Sequence, residues 1–218
     1  MTITAKPNAL PKPFAACLIA ALLAPAIAAA QATAEAPAEP AAPPAFEVVA
    51  PGDAPFFDLP DLPAGYICVV QENPAVGLTT VVVGAAEVPP GEFRPAIILV
   101  AMPKTDGEMK DKAFRVSVVK GFINGIADTL LGQDGGSLAA KKWGSLDTIP
   151  IDQPFDVSLD VQMPKGSPGF DEGGMTLIDG RILFDDDRAY QMQLQTRTPE
   201  QRAKFLPMFH EIELKSGS

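Results

Sequence analysis

Phe155-Asp156-Val157-Ser158-Leu159-Asp160-Val161-Gln162-Met163 decides the fold. Apolar and polar residues alternate through the whole run. Successive side chains of a strand point to opposite sides, so this strand has one dry and one wet face. Such alternation marks an antiparallel sheet.

Working outward toward the C-terminus, Pro164-Lys165-Gly166-Ser167-Pro168-Gly169 closes the strand with a loop. Residues 175–178 and 181–184 read as two further strands, with Asp179-Gly180 as a tight turn between them. Asp185-Asp186-Asp187-Arg188 is a second turn, leading to Tyr190, Met192 and Leu194 in alternation with Gln191, Gln193 and Gln195. The result is an antiparallel meander. Thr198-Pro199-Glu200-Gln201 then starts a helix, with a cap, a first-turn proline and a capping-box glutamine. Its apolar face is Phe205, Leu206, Phe209 and Ile212, and Pro207 is expected to kink or restart it.

Toward the N-terminus, Lys141-Lys142-Trp143 belongs to a strand, and Gly132-Gln133-Asp134-Gly135-Gly136-Ser137 connects it to a preceding helix. That helix spans residues 110–131: Phe114, Val118, Phe122, Ile126 and Leu130 recur every fourth position, flanked by Val119, Ile123 and Ala127. Lys112, Arg115, Lys120 and Asp128 are assigned to its polar side, and Gly132 to its C-terminal stop. Gly121 and Gly125 lower helix preference, and tight packing on a sheet is the reason the sequence suggests. Residues 66–71, 79–85 and 96–102 are β-favouring runs bounded by Pro or Gly. The fold class expected is α+β: a mainly antiparallel β-sheet with a long middle helix and a C-terminal helix packed on it. Residues 56–216 make one such domain.

The first 32 residues have a different logic. Lys6 and Lys12 precede an apolar run over residues 14–27, and Ala28-Ala29-Ala30-Gln31-Ala32 supplies small side chains for cleavage after Ala30 or Ala32. This is the layout of a secretory signal peptide. Cys17 lies early in the apolar run, where a lipidation site would follow it. The apolar run is also shorter than the roughly 20 residues of a membrane span. Residues 33–55, beginning Thr33-Ala34-Glu35-Ala36-Pro37-Ala38-Glu39-Pro40, read as a flexible Pro/Ala-rich linker in which Val48 and Val49 offer at most a short edge strand.

The formal net charge is −10, and loss of Lys6 and Lys12 without any acid would make it −12. That balance disfavours nucleic acid and anionic lipid as partners. After signal removal Cys68 is the single cysteine, so no internal disulfide forms, and its apolar setting suits a buried thiol. One histidine, His210, and one mature cysteine exclude the usual zinc sets and leave Ser-His or Cys-His catalysis with a single base in the last helix. No catalytic, cofactor-binding or metal-binding residue is assigned. Asp185, Asp186 and Asp187, with Asp179 nearby, have the oxygen-rich chemistry of a calcium site. A solvated turn capped by Arg188 accounts for them equally, and the two readings stay open. Lys141-Lys142-Trp143 pairs basic charge with an aromatic suited to a sugar or peptide. An inward-facing Trp143 would serve the core instead.

The closing meander with Ala189-Tyr190-Gln191-Met192-Gln193-Leu194, followed by the helix with Phe205-Leu206-Pro207-Met208-Phe209-His210-Glu211-Ile212, resembles the end of the PsbP-like, Mog-like and DcrB-like family. The resemblance implies an α-β-α sandwich used as a binding and assembly scaffold, with no shared catalytic residues. The expected role is therefore an exported, periplasmic, non-enzymatic binding or assembly protein with an envelope protein as partner. A periplasmic enzyme using carboxylates and a calcium-binding module are the alternatives.

Overall fold

A computed structural model describes residues 46–74, 76–89, 92–149, 153–167, 170 and 172–215. The expected signal peptide, residues 1–32, and residues 33–45 of the expected linker lie outside the described residues. Eight strands form one antiparallel sheet: β1 (Phe46–Val49), β3 (Tyr66–Asn73), β4 (Leu78–Ala85), β5 (Ala96–Ala101), β6 (Ser137–Trp143), β7 (Phe155–Met163), β8 (Gly174–Phe184) and β9 (Ala189–Thr196). Their order is β1-β3-β4-β5-β9-β8-β7-β6. A small second pair joins β2 (Phe57–Asp58) to β10 (Glu213–Leu214). Helix α1 (Lys112–Ala127) follows β5, and α2 (Pro199–His210) follows β9. The α+β class is the one expected.

The two helices lie on opposite faces of the sheet, as adjacent residues of β8 demonstrate. Gly180 sits beneath Phe122 of α1, whereas Asp179 binds Arg202 of α2. Neighbouring strand residues face opposite sides. Under α1, Val118, Val119, Phe122 and Ile126 pack with Val157, Leu159, Ile178 and Ile182. Under α2, Phe205 and Phe209 pack with Val81, Leu99, Tyr190, Met192 and Leu194. β7 alternates buried and more exposed residues along its whole length, as its sequence demands.

Several expectations are corrected. Asp179-Gly180 is the interior of an unbroken strand: Asp179 pairs with Ser158 and Leu194, Gly180 with Val157 and Gln193. Two flanking ladders outweigh the turn preference of the dipeptide. A side chain at 180 would put its Cβ 2.8 Å from the Phe122 ring, so glycine there serves helix-on-sheet packing. Gly121, given that role from sequence, has nothing within 4 Å of its would-be Cβ. Arg115 is buried, its Nη1 donating to the carbonyls of Met109 (2.7 Å) and Lys110 (3.0 Å), where a polar outer face was expected. These carbonyls belong to the short turn before α1, and the guanidinium satisfies them inside the fold.

Helix α1 begins one residue after Asp111, whose carboxylate accepts from the Ala113 N–H at 2.9 Å. Its end widens into a π-type turn, Asp128–Gln133, that contains Gly132. Helix α2 begins at the expected cap: Thr198 Oγ1 accepts from the Gln201 N–H, and Gln201 Oε1 accepts from the Arg197 N–H. It runs through Pro207 without restarting; Ala203 and Pro207 are both exposed, so water can serve the carbonyl that proline cannot.

The folded unit also starts earlier than residue 56. β1 pairs with β3, Ala54 is fully buried, and Lys215 binds the Phe56 carbonyl through its backbone N–H and that of Gly52 through Nζ. Residues 46–55 are thus clasped between β3 and the C-terminal strand, and the linker reading does not hold for them. Among the described residues no helix is long and apolar enough to cross a membrane.

Candidate functional site

Helix α2 is shorter than the sheet is wide. Phe205 and Phe209 anchor it over β9 and the strands beyond, so the same face of β7 and β6 continues past the helix uncapped. The step between them is a groove of about 490 Å³. Its floor carries the wet side of β7, Asp156 and Ser158, with Lys142 of β6 opposite Ser158 and Arg181 of β8 opposite Asp156. Leu206 and His210 of α2 form the wall.

One side of this groove is held by a forked ion-pair network. Arg202 Nε and Nη2 donate to the two carboxylate oxygens of Asp179 at 2.8 and 2.5 Å. Its Nη1 donates to Asp160 at 3.1 Å, and Nη2 also reaches Ser158 Oγ. The Asp179 hydrogen bond is the main reason the guanidinium is held above its ordinary pKa, with the Asp160 charge adding to it. Bidentate geometry fixes the angle of α2 on the sheet as well as its distance. Arg181 makes the second link: Nε binds Asp156 Oδ1 at 3.3 Å, and Nη1 donates to the His210 carbonyl at 3.2 Å, an acceptor left open by the helix end. Hence Asp156, Asp160 and Asp179 are each engaged by an arginine. Among the described residues Lys142 has no ion-pair partner, and the Nη2 of Arg181 has no acceptor.

The other sequence candidates are distributed as follows. Lys141-Lys142-Trp143 is divided by the pleat. Lys142 faces the groove, whereas Trp143, opposite Val157, packs half-buried against the core under α1 with Lys141 Nζ 5.1 Å from its ring centroid. His210 is exposed at the end of α2, its ring edge-on to Phe209. Cys68 is buried, and burial pushes its thiol up to about 11. Gly136 approaches so closely that a Cβ would meet the Leu130 carbonyl at 2.5 Å, which explains the glycine-rich connection without a phosphate.

Asp185, Asp186 and Asp187 do form a turn. Asp185 Oδ1 accepts from the N–H groups of Asp187 and Arg188, and its Oδ2 accepts from the Tyr190 hydroxyl at 2.8 Å. Asp186 pairs with Lys110 at 3.1 Å and Asp187 with Lys104 at 3.0 Å. Asp179 does not join them, being committed to Arg202. Among the described residues no three His, Cys, Asp or Glu side chains are grouped to hold a metal ion.

Arg202 and Arg181 are the groove residues that sequence reading missed. A signal existed for Arg202: it lies three and seven positions before Phe205 and Phe209, on the buried stripe of α2. A charge on a buried stripe requires a partner.

No protein-family model matches the chain, and no curated protein matches it.

Proposed function

We propose that this chain is an exported, non-enzymatic binding or assembly protein of the periplasm, and that the groove between α2 and strands β6–β8 is its contact site. The observation that carries the reading is the pairing of charges in the groove. Its carboxylates are already engaged by Arg181 and Arg202, which disfavours the carboxylate hydrolysis that an acid pair would perform. Lys142, Arg181 Nη2 and the Leu206 wall remain available to a partner. The secretory layout of residues 1–32 supports export, and a helix on each face of an antiparallel sheet suits the PsbP-like scaffold that the last forty or so residues resemble.

The test is site-specific photo-crosslinking in the envelope of a bacterial host. A photo-reactive residue in place of Leu206 should capture one envelope component, whereas the same residue at Lys120, exposed on α1, should not. Equal labelling from both positions, or an N-terminus retaining Met1 in the recovered protein, would refute the reading.

A further inference from the structure

We propose that a second copy of this chain extends the sheet, with strand β1 of one copy pairing antiparallel to strand β6 of the next. The joint lies at the two edges of the sheet and does not depend on the groove. Every neighbouring pair in the eight-stranded sheet is antiparallel, so its outer strands β1 and β6 run in opposite directions. A copy set alongside in the same orientation therefore lays its β1 antiparallel to β6, the pairing used throughout the sheet. Each edge presents unpaired backbone N–H and C=O groups that a further strand satisfies.

The two edges are chemically complementary. β1 reads Phe-Glu-Val-Val, with an acid and no cation, whereas β6 reads Ser-Leu-Ala-Ala-Lys-Lys-Trp, with two cations and no acid. Among the described residues neither Glu47 nor Lys142 is held in an ion pair. Phe46 and Val48 are 39% and 59% exposed, an apolar pair on the outermost strand.

The sheet faces fix the register. Val48 stands in line with Val69, Val82, Ile98, Gln193 and Gly180, so Phe46 and Val48 lie on the α1 side, and Glu47 and Val49 on the α2 side. On β6, Lys141 and Trp143 lie on the α1 side, Ala140 and Lys142 on the α2 side. Placing Glu47 opposite Lys142 then places Phe46 opposite Trp143, Val48 opposite Lys141 and Val49 opposite Ala140. Each opposed pair shares a face, and the ladder gains an ion pair, an aromatic pair and a valine on a lysine stem.

Like edges do not fit. β6 against β6 gathers the lysines of both copies beside the bulge between Leu138 and Ala140, and β1 against β1 offers Glu47 no cation. The β6 lysines thus exclude a second β6 while admitting β1. Because the joined edges differ, each added copy leaves one β1 and one β6 free at the ends, and growth is head to tail and open. With only four residues in β1, each joint is weak and assembly rises with concentration.

Sedimentation velocity of the exported chain, from micromolar to near-millimolar concentration, tests the joint. The weight-average mass should climb continuously past that of a dimer. Glu47→Lys and Lys142→Glu, both at exposed positions, should each weaken association by about tenfold. The double variant carrying both should recover it, since the exchanged charges attract again. Unchanged thermal melts would show that the variants are folded. A monomer at every concentration, growth that stops at a dimer, or a double variant no better than the singles would overturn the head-to-tail joint. Crosslinking from position 206 reads the groove separately, because Glu47 lies at the opposite edge of the sheet.

Discussion

Replacing Gly180 by alanine tests the contact that sets α1 on the sheet. The new methyl would lie 2.8 and 2.9 Å from Cε1 and Cζ of Phe122, whereas carbon atoms rest at about 3.5–4.0 Å. The ring or the helix must therefore retreat by roughly 0.7–1 Å. The Met192 carbonyl, at 3.7 Å, needs no adjustment. Overpacking of this kind costs about 1–3 kcal/mol. At roughly 2–4 °C per kcal/mol for a domain of this size, a cost of ~2 kcal/mol lowers Tm by ~4–8 °C. Phe122→Leu alone should destabilise through lost packing, yet it opens the space the methyl needs. In a double-mutant cycle followed by urea unfolding, the two changes should therefore couple favourably by about 1 kcal/mol or more. Additivity within ~0.5 kcal/mol, or an unchanged stability for Gly180→Ala, would refute the reasoning. The cycle also separates packing from backbone conformation, since a glycine needed for a tight turn would not be rescued by trimming Phe122.

Three further outcomes follow from the same structure. Gly121→Ala, in an exposed helix position with no neighbour within 4 Å, should raise stability by about 0.5–1 kcal/mol in thermal melts, and a loss would contradict the open site. Arg202→Met strands Asp179, whose side chain is only 12% exposed; after allowance for the partly solvated pair the cost is about 2 kcal/mol, and adding Asp179→Asn should recover part of it in urea unfolding. No recovery would mean the pair does not couple. Burial keeps the Cys68 thiol protonated, so a thiol reagent at pH 8 should label Cys68 in the native chain only as fast as opening of the fold exposes it. The folded thiol titrates at about 11, above its ordinary 9.0. The unfolded chain therefore loses its proton first, and stability falls by roughly 1 kcal/mol per pH unit across that window. A Cys68→Ala variant with the same alkaline slope would contradict this.

Local pattern carried much of the architecture. The alternation of residues 155–163 specifies a strand with a dry and a wet side because side-chain direction there follows from the backbone alone, and β7 obeys it throughout. The four-residue stripe of α1 and the Thr198 cap of α2 are equally local, since each depends on groups within a turn or two. Where a residue's role depended on a distant partner, the same reading failed. Asp179-Gly180 carries a turn's local preference, yet ladders to β7 and β9 on either side hold it extended. Arg115 was placed on a polar face because the carbonyls it satisfies lie in a turn outside the helix pattern.

The groove shows the division most clearly. By itself the sequence determined that Asp156, Ser158 and Asp160 share one wet face and that Arg202 shares a helical stripe with Phe205 and Phe209, because both facts are periodicities of a single element. Only the tertiary structure decided that the stripe lies over that face, that Arg202 binds both Asp179 and Asp160, and that Lys142 and one nitrogen of Arg181 are left facing a cavity. Strand order and helix placement come from long-range pairing and packing, in which every partner is far away along the chain.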